Sequence, residues 1–259
     1  MSVTQLKSSR DASEWQLRVD LAAAFRLAVE MNWHEGVGNH FSAAVSADGK
    51  TFLMNPKWRH FSTIRASDLQ LLNADDDSIM STPEAPDVSA WAIHGGIHAS
   101  VAHARVLLHL HPPYATALAG LADPELKPID QNTARFYNRL SIDLAYTGIA
   151  EDKAEGKRLA RVLGNKRTMM MGNHGVLCAA PTVAEAFEDM YFLERAAQTM
   201  VLAYSTGQKL NIMPHELAER TARGWEDYGD SAFAHFEQLK QKLDRTDPSY
   251  KEWPLSPVR

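Results

Sequence analysis

Two histidines, His109 and His111, stand one residue apart at the end of the apolar run ARVLLHLH, and Pro112-Pro113 closes it. Side chains at i and i+2 of a strand share a face, so both imidazoles point the same way at a spacing two metal bonds can close. The prolines remove ladder donors and put the pair at a strand end, where α/β proteins place their sites. Two sheet-edge histidines with satisfied hydrogen bonds would leave the same pattern. His174 separates the readings, because it lies in Gly-Asn-His-Gly after an apolar run, a tight turn that presents a ring rather than burying it. Three histidines on adjoining strand ends match a facial three-nitrogen site for zinc or a similar ion, with a coordination position left open.

The elements that must hold these rings can be read on either side. Residues 11–33 carry Leu17, Leu21, Phe25, Ala28 and Met31 on one stripe, an amphipathic helix with Asp11 or Ser13 as N-cap. Gly36 and Gly38 break it, and HFSAAVSADGKTFLMNP predicts a hairpin turning at Asp48-Gly49. TIRASDLQLL gives a short helical or turn segment and then a strand edge, and NADDDSIMSTPEAPD a loop. A helix starts near Asp87 with His94 and His98 on one face. ARVLLHLH is a strand, YATALAGL a helix, and a mixed stretch follows. RTMMMGNHGVLCAAPT gives two strand pieces around the turn, and a long helix begins after Thr182 with Glu185 at its capping-box position.

Composition bounds the rest. The 259 residues carry 23% charged and 45% hydrophobic side chains and a net charge of -5 spread along the chain, values of an ordinary globular protein that does not bind nucleic acid. The expected organisation is one α/β domain over residues 1–210 and a helical extension or arm over 211–259. The lone Cys178, in the apolar VLCAA, reads as a small buried hydrophobe in a reducing cytoplasm. No segment resembles a secretory signal or reaches the roughly 20 apolar residues of a membrane span, so a soluble cytoplasmic protein without a membrane partner is expected.

The ordered set GNHFSAAV (38–45), IHGGIHASVAHARVLLHLHPPYATALAG (93–120) and NHGVLCAAPTVAEAFEDMYFLERAAQ (173–198) resembles the class II aldolase/adducin family over about residues 15–205. The resemblance implies a three-layer α/β/α sandwich with a mainly antiparallel central sheet. It also implies a homo-oligomer, commonly a tetramer with sites between subunits, and one divalent metal ion on His109, His111 and His174: zinc first, with manganese, iron and cobalt as alternatives. The chemistry is Lewis-acid stabilisation of an enolate formed from a small-molecule substrate.

Departures from the aldolase pattern narrow this. The family's catalytic Glu, four residues before the histidine corresponding to His94, is replaced by Ala90, which cannot move a proton. The phosphate pocket is altered as well: its asparagine reads as His40, its serine pair as Val88-Ser89, and Trp58 crowds a cradle that depends on small residues. A sugar phosphate is therefore disfavoured. His40, Ser89, Lys57 and Arg59 become candidates for substrate binding, although a KWRH run also reads as a solvated loop. His94 and His98 are candidates for proton transfer, with satisfied core histidines as the alternative. Asp87 is either a substitute for the lost Glu or the helix N-cap. Tyr137 is a candidate phenolic donor at a subunit boundary, and Glu194 orients a metal histidine or lies at a surface or interface.

The expectation is a metal-dependent lyase, of decarboxylase or retro-aldol type, acting on a non-phosphorylated carboxylate or hydroxy-keto acid. Losing carbon dioxide generates the enolate without a base, which suits the missing Glu. A mononuclear iron oxygenase of the same fold and a non-catalytic adducin-like binding module are the alternatives.

Overall fold

The computed structural model of the chain describes residues 3–149 and 153–252, with side chains from residue 12 onward. Seven strands, β1 (His40–Ala44), β2 (Thr51–Met54), β3 (Gln70–Asn73), β4 (Val106–Leu110), β5 (Leu140–Asp143), β6 (Thr168–Met171) and β7 (Gly175–Ala180), form one sheet in the order β3-β2-β1-β4-β7-β6-β5. Every neighbouring pair is antiparallel except β5 with β6. Eight helices flank it: α1 (Val3–Glu30), α2 (Val88–Ser100), α3 (Pro113–Ala119), α4 (Gln131–Arg135), α5 (Lys153–Leu163), α6 (Val183–Ser205), α7 (His215–Glu226) and α8 (Asp230–Thr246).

Alternation along the strands decides which layer each residue joins. Phe41, Leu108, Leu110, Val176 and Cys178 pack with α1, α3 and α6 on one face. Leu107, Met169, Leu177 and Ala179 pack with α2 and α5 on the other. The expected three-layer sandwich with a mainly antiparallel sheet is the fold found. His40, Ser42 and His109 take the same parity as the second set and therefore lie under α2, whose own layer carries His94 and His98. Helices α2 and α5 touch at Gly96 and Gly156, where a Cβ on Gly96 would come within 2.7 Å of the Gly156 carbonyl carbon.

One expectation is corrected and another is filled in. Helix α1 begins at Val3, so neither Asp11 nor Ser13 stands at its start, and the side chain of Asp11 lies outside the described residues. The mixed stretch after α3 contains α4, β5 and α5. Strand β5 is only four residues long and owes its conformation to parallel pairing with β6, a partner almost thirty positions away (Leu140 with Thr168). The tail folds as α7 and α8, which pack on α4 and α6 respectively, while residues 253–259 are outside the described set. No helix among the described residues is long and apolar enough to cross a membrane.

Candidate metal centre

Strand β4 ends at Leu110, and the antiparallel register of β4 with β7 (Leu110 opposite Val176) sets His111 beside Gly175. The β6–β7 turn is closed by Asn173 in the left-handed conformation, φ 55°, which an asparagine tolerates better than most residues. Its neighbour His174 is thereby turned toward β4. Ligand nitrogens of His109, His111 and His174 all lie within 4.8 Å of one another, the only such group of three His, Cys, Asp or Glu among the described residues.

Hydrogen-bond partners fix which nitrogen of His109 and of His111 faces inward. His109 Nδ1 donates to the Val176 carbonyl at 3.0 Å, and His111 Nδ1 donates to the Glu35 carboxylate at 2.8 Å. Each ring therefore turns its Nε2 inward, and the two Nε2 atoms lie 3.3 Å apart. Two nitrogens bound at 2.0–2.1 Å to one tetrahedral ion lie about 3.3 Å apart, so the donor set fits a divalent metal. Burial holds His109 well below the ordinary imidazole range, with His174 and His40 adding to the effect. Burial and then His111 lower His174 to about 4. All this favours the neutral form that ligates. Gly175 is required by the same contact, because a Cβ there would lie 2.3 Å from His111 Cδ2.

A cavity of about 310 Å³ opens over the three rings, lined by His40, Trp58, Asp87, Ser89, Ile93, Asp143, Tyr146, Ile149, Arg158, Leu159 and Met171 among others. Its wall is largely apolar. Trp58 is 66% exposed and holds φ 60°, a strained backbone for a bulky residue and typical of a functional loop. The Arg158 guanidinium is engaged by both oxygens of Asp143, at 2.9 and 2.6 Å, and by Glu155. A second cavity, about 350 Å³ between β6, α6 and α7, is lined by ion pairs such as Arg167 with Asp189 and contains no ligand cluster.

The other sequence candidates separate. His40 is cross-strand neighbour to His109 and lines the cavity. Ser89 lines it too, donating to Asp87 at 2.6 Å. Asp87 is the α2 N-cap, accepting from the amides of Ser89 and Ala90. Burial would raise its carboxyl, but the Ser89 hydroxyl and the two amides outweigh this and hold it below the usual range, so it is an anion and not a proton donor near neutrality. His94 and His98 are buried behind His40, with every ring nitrogen hydrogen-bonded, and neither lines the cavity. Lys57 borders a small adjoining void and lies 5.0 Å over the Trp58 ring, whereas Arg59 turns away to pair with Asp68 at 3.3 Å. Tyr137 is remote from the cavity within this chain, its hydroxyl bonded to His215 at 3.0 Å. Glu194 is buried and caps α3, accepting from the amides of Tyr114 and Ala115 at 2.9 and 2.8 Å. It thus fixes the chain just after His111, its hydrogen bonds going to these amides rather than to a metal histidine. Sequence reasoning missed Glu35, Ser42, Asp143 and Tyr146. Glu35 carried a signal, since it stands in the loop entering the strand beside β4.

The sequence profile of the class II aldolase and adducin N-terminal domain matches residues 19–201. The chain belongs to the class II aldolase and adducin family. An aldolase II superfamily protein from Pseudomonas syringae superposes with a TM-score of 0.83 at 32% identity, covering 92% of this chain and 96% of that one. Decarboxylase NovR of Streptomyces niveus is 26% identical over 201 residues, 75% of this chain and 74% of NovR. The 4-hydroxy-3-prenylphenylpyruvate oxygenase/4-hydroxy-3-prenylbenzoate synthase of Streptomyces roseochromogenus subsp. oscitans is also 26% identical over 201 residues, 75% of this chain and 72% of its own. This family member therefore has relatives named for lyase and for oxygenase chemistry.

Proposed function

We propose that the protein is a divalent-metal-dependent carbon–carbon lyase, of decarboxylase or retro-aldol type, acting on a non-phosphorylated carboxylate or hydroxy-keto acid. The observation carrying this reading is the convergence of His109, His111 and His174, whose ligand nitrogens lie within 4.8 Å of one another, with the two strand-end Nε2 atoms 3.3 Å apart. His109, His111 and His174 would hold the ion, zinc being the first candidate for an all-nitrogen set. When bound, the ion supplies Lewis-acid stabilisation of the oxygen that becomes negative as the C–C bond breaks.

The chain's own residues do the rest. Glu35 and the Val176 carbonyl hold the strand ligands in one tautomer. Ala90 stands where aldolases carry their acid/base, so the reaction that fits is one whose bond cleavage itself delivers the carbanion. The apolar wall of Trp58, Ile93, Ile149, Leu159 and Met171 accepts a substrate with an apolar body. The protein is proposed to work in the cytoplasm as a homotetramer, an arrangement that would let a neighbour supply the proton donor that Tyr137 does not supply within one chain.

Metal analysis of protein purified without chelator, followed by assay of carboxylic and hydroxy-keto acids for carbon dioxide or aldehyde release, tests the proposal. Stoichiometric metal and turnover without oxygen are expected. Turnover that stops in anaerobic buffer would instead establish the iron-oxygenase alternative, to which the 26% identical oxygenase lends support. Absence of bound metal in the folded protein would overturn the lyase reading and bring the adducin-like binding module to the front.

A further inference from the structure

Behind the cavity, four side chains and one carbonyl form a continuous buried hydrogen-bonded chain. It runs from the Ala104 carbonyl to His98 Nδ1 (2.6 Å), His98 Nε2 to Ser42 Oγ (2.6 Å), Ser42 Oγ to His94 Nδ1 (2.5 Å), and His94 Nε2 to His40 Nδ1 (2.7 Å). The four side chains are at most 4% exposed. None of the three imidazoles has a carboxylate hydrogen-bonded to it among the described residues, and an unpaired buried cation is costly, so each ring is neutral and carries one proton.

The anchor then sets the direction of every link. A carbonyl can only accept, so His98 carries its proton on Nδ1 and offers a bare Nε2. The Ser42 hydroxyl has one proton and gives it to that nitrogen. Its oxygen must therefore accept from His94 Nδ1–H, which leaves His94 Nε2 bare and able only to accept from His40 Nδ1–H. The last ring has no choice left: His40 Nε2 is unprotonated. It makes no hydrogen bond among the described residues, and His40 lines the cavity next to His109.

We infer that Ser42, His94 and His98 are positioning residues that lock His40 in the Nδ1–H tautomer, so that its Nε2 is a fixed hydrogen-bond acceptor in the cavity and selects a ligand bearing a hydroxyl there rather than a carboxylate or phosphate oxygen. The tautomer stands on the hydrogen-bond chain alone. The choice of ligand rests on the reading of this cavity as the substrate site. An oxyanion placed against His40 Nε2 would meet lone pair against lone pair, whereas a hydroxyl would satisfy the nitrogen. The same logic keeps His40 in the substrate-binding role read from sequence and moves His94 and His98 from proton transfer to positioning.

Neutron diffraction from crystals of the metal-free protein at neutral pH reads the tautomers directly. Deuterium is expected on Nδ1 of His40, His94 and His98 and not on their Nε2 atoms. Deuterium on His40 Nε2 would overturn the assignment, and the wild-type map decides this even if no variant folds. In Ser42→Ala, the lock on His40 should be lost, giving deuterium at both nitrogens in partial occupancy, while zinc affinity stays within about threefold. An unchanged His40 in that variant would remove Ser42 from the chain. For the ligand, calorimetry compares glycolate with acetate on the zinc-loaded protein. The preference for glycolate should fall about tenfold in His40→Leu, the loss of one hydrogen bond. An equal preference in both proteins would overturn the ligand assignment. Failure of both acids to bind the wild type would instead count against the substrate-site reading and leave the tautomer standing.

Discussion

Glu35→Ala removes the one side chain among the described residues that hydrogen-bonds a metal histidine from outside the trio, and its effect can be worked from the structure. The carboxylate accepts from His111 Nδ1 at 2.8 Å, and its own side chain is 58% exposed against 17% for His111. A hydrogen bond to a charged group contributes about 1.5–3 kcal/mol, and solvent around the half-exposed carboxylate takes it to the lower end. Partners of this kind change metal affinity about 10–100-fold, so about tenfold weaker binding, near 1.4 kcal/mol, is expected. Glu35→Gln keeps an accepting oxygen and should lose less. Competition of each variant with a chromophoric chelator for zinc measures the ratio, and circular dichroism checks that the fold is kept. Wild-type affinity in a folded Glu35→Ala protein would refute the claim that the carboxylate holds the His111 tautomer.

Other outcomes follow from the same geometry. Gly175→Ala places a methyl 2.3 Å from His111 Cδ2 and 2.7 Å from the Leu110 carbonyl. The ring must move by about 1 Å against a metal–nitrogen tolerance near 0.2 Å, so zinc binding should fall at least about 100-fold in equilibrium dialysis. Glu194→Ala leaves the amides of Tyr114 and Ala115 without their partner and should lower stability by about 1–3 kcal/mol in urea unfolding, an effect absent from a surface control such as Glu237→Ala. Burial lowers His98 from 6.5 to about 4. The unfolded chain therefore binds a proton that the folded one refuses, and stability falls as pH drops from about 6.5 toward about 4. Near pH 5 this one group costs about 2 kcal/mol, which unfolding at pH 7 and pH 5 in wild type and His98→Gln would show as a smaller drop in the variant.

The triad of histidines was legible because each lies beside local punctuation: two prolines after His111, and the Asn-His-Gly turn around His174. Alternation alone predicts that His109 and His111 share a face. The strand and helix order was legible for the same reason, through the Asp48-Gly49 turn and the Thr182 cap. What escaped depends on pairing between distant segments. His40 stands opposite His109 only because β1 pairs with β4 across two intervening strands, and no periodicity encodes that choice. With that register unknown, His94 and His98 read as groups facing the metal, whereas Ser42 and His40 lie between them and the cavity. Glu35 meets His111 across 76 positions, and β5 exists because β6 runs alongside it. Arg59 and Tyr137 were singled out by residue type, and their partners Asp68 and His215 turn them elsewhere.

The central claim is that three imidazoles from two strand ends bind one cation. Zinc titration of metal-free protein with chelator competition, in wild type and in His109→Ala, His111→Ala and His174→Ala, tests it most directly. One equivalent per chain in the wild type is expected, with each variant folded and at least about 100-fold weaker. Tight binding that survives all three substitutions, or a folded wild type that takes up no divalent ion, would contradict the account.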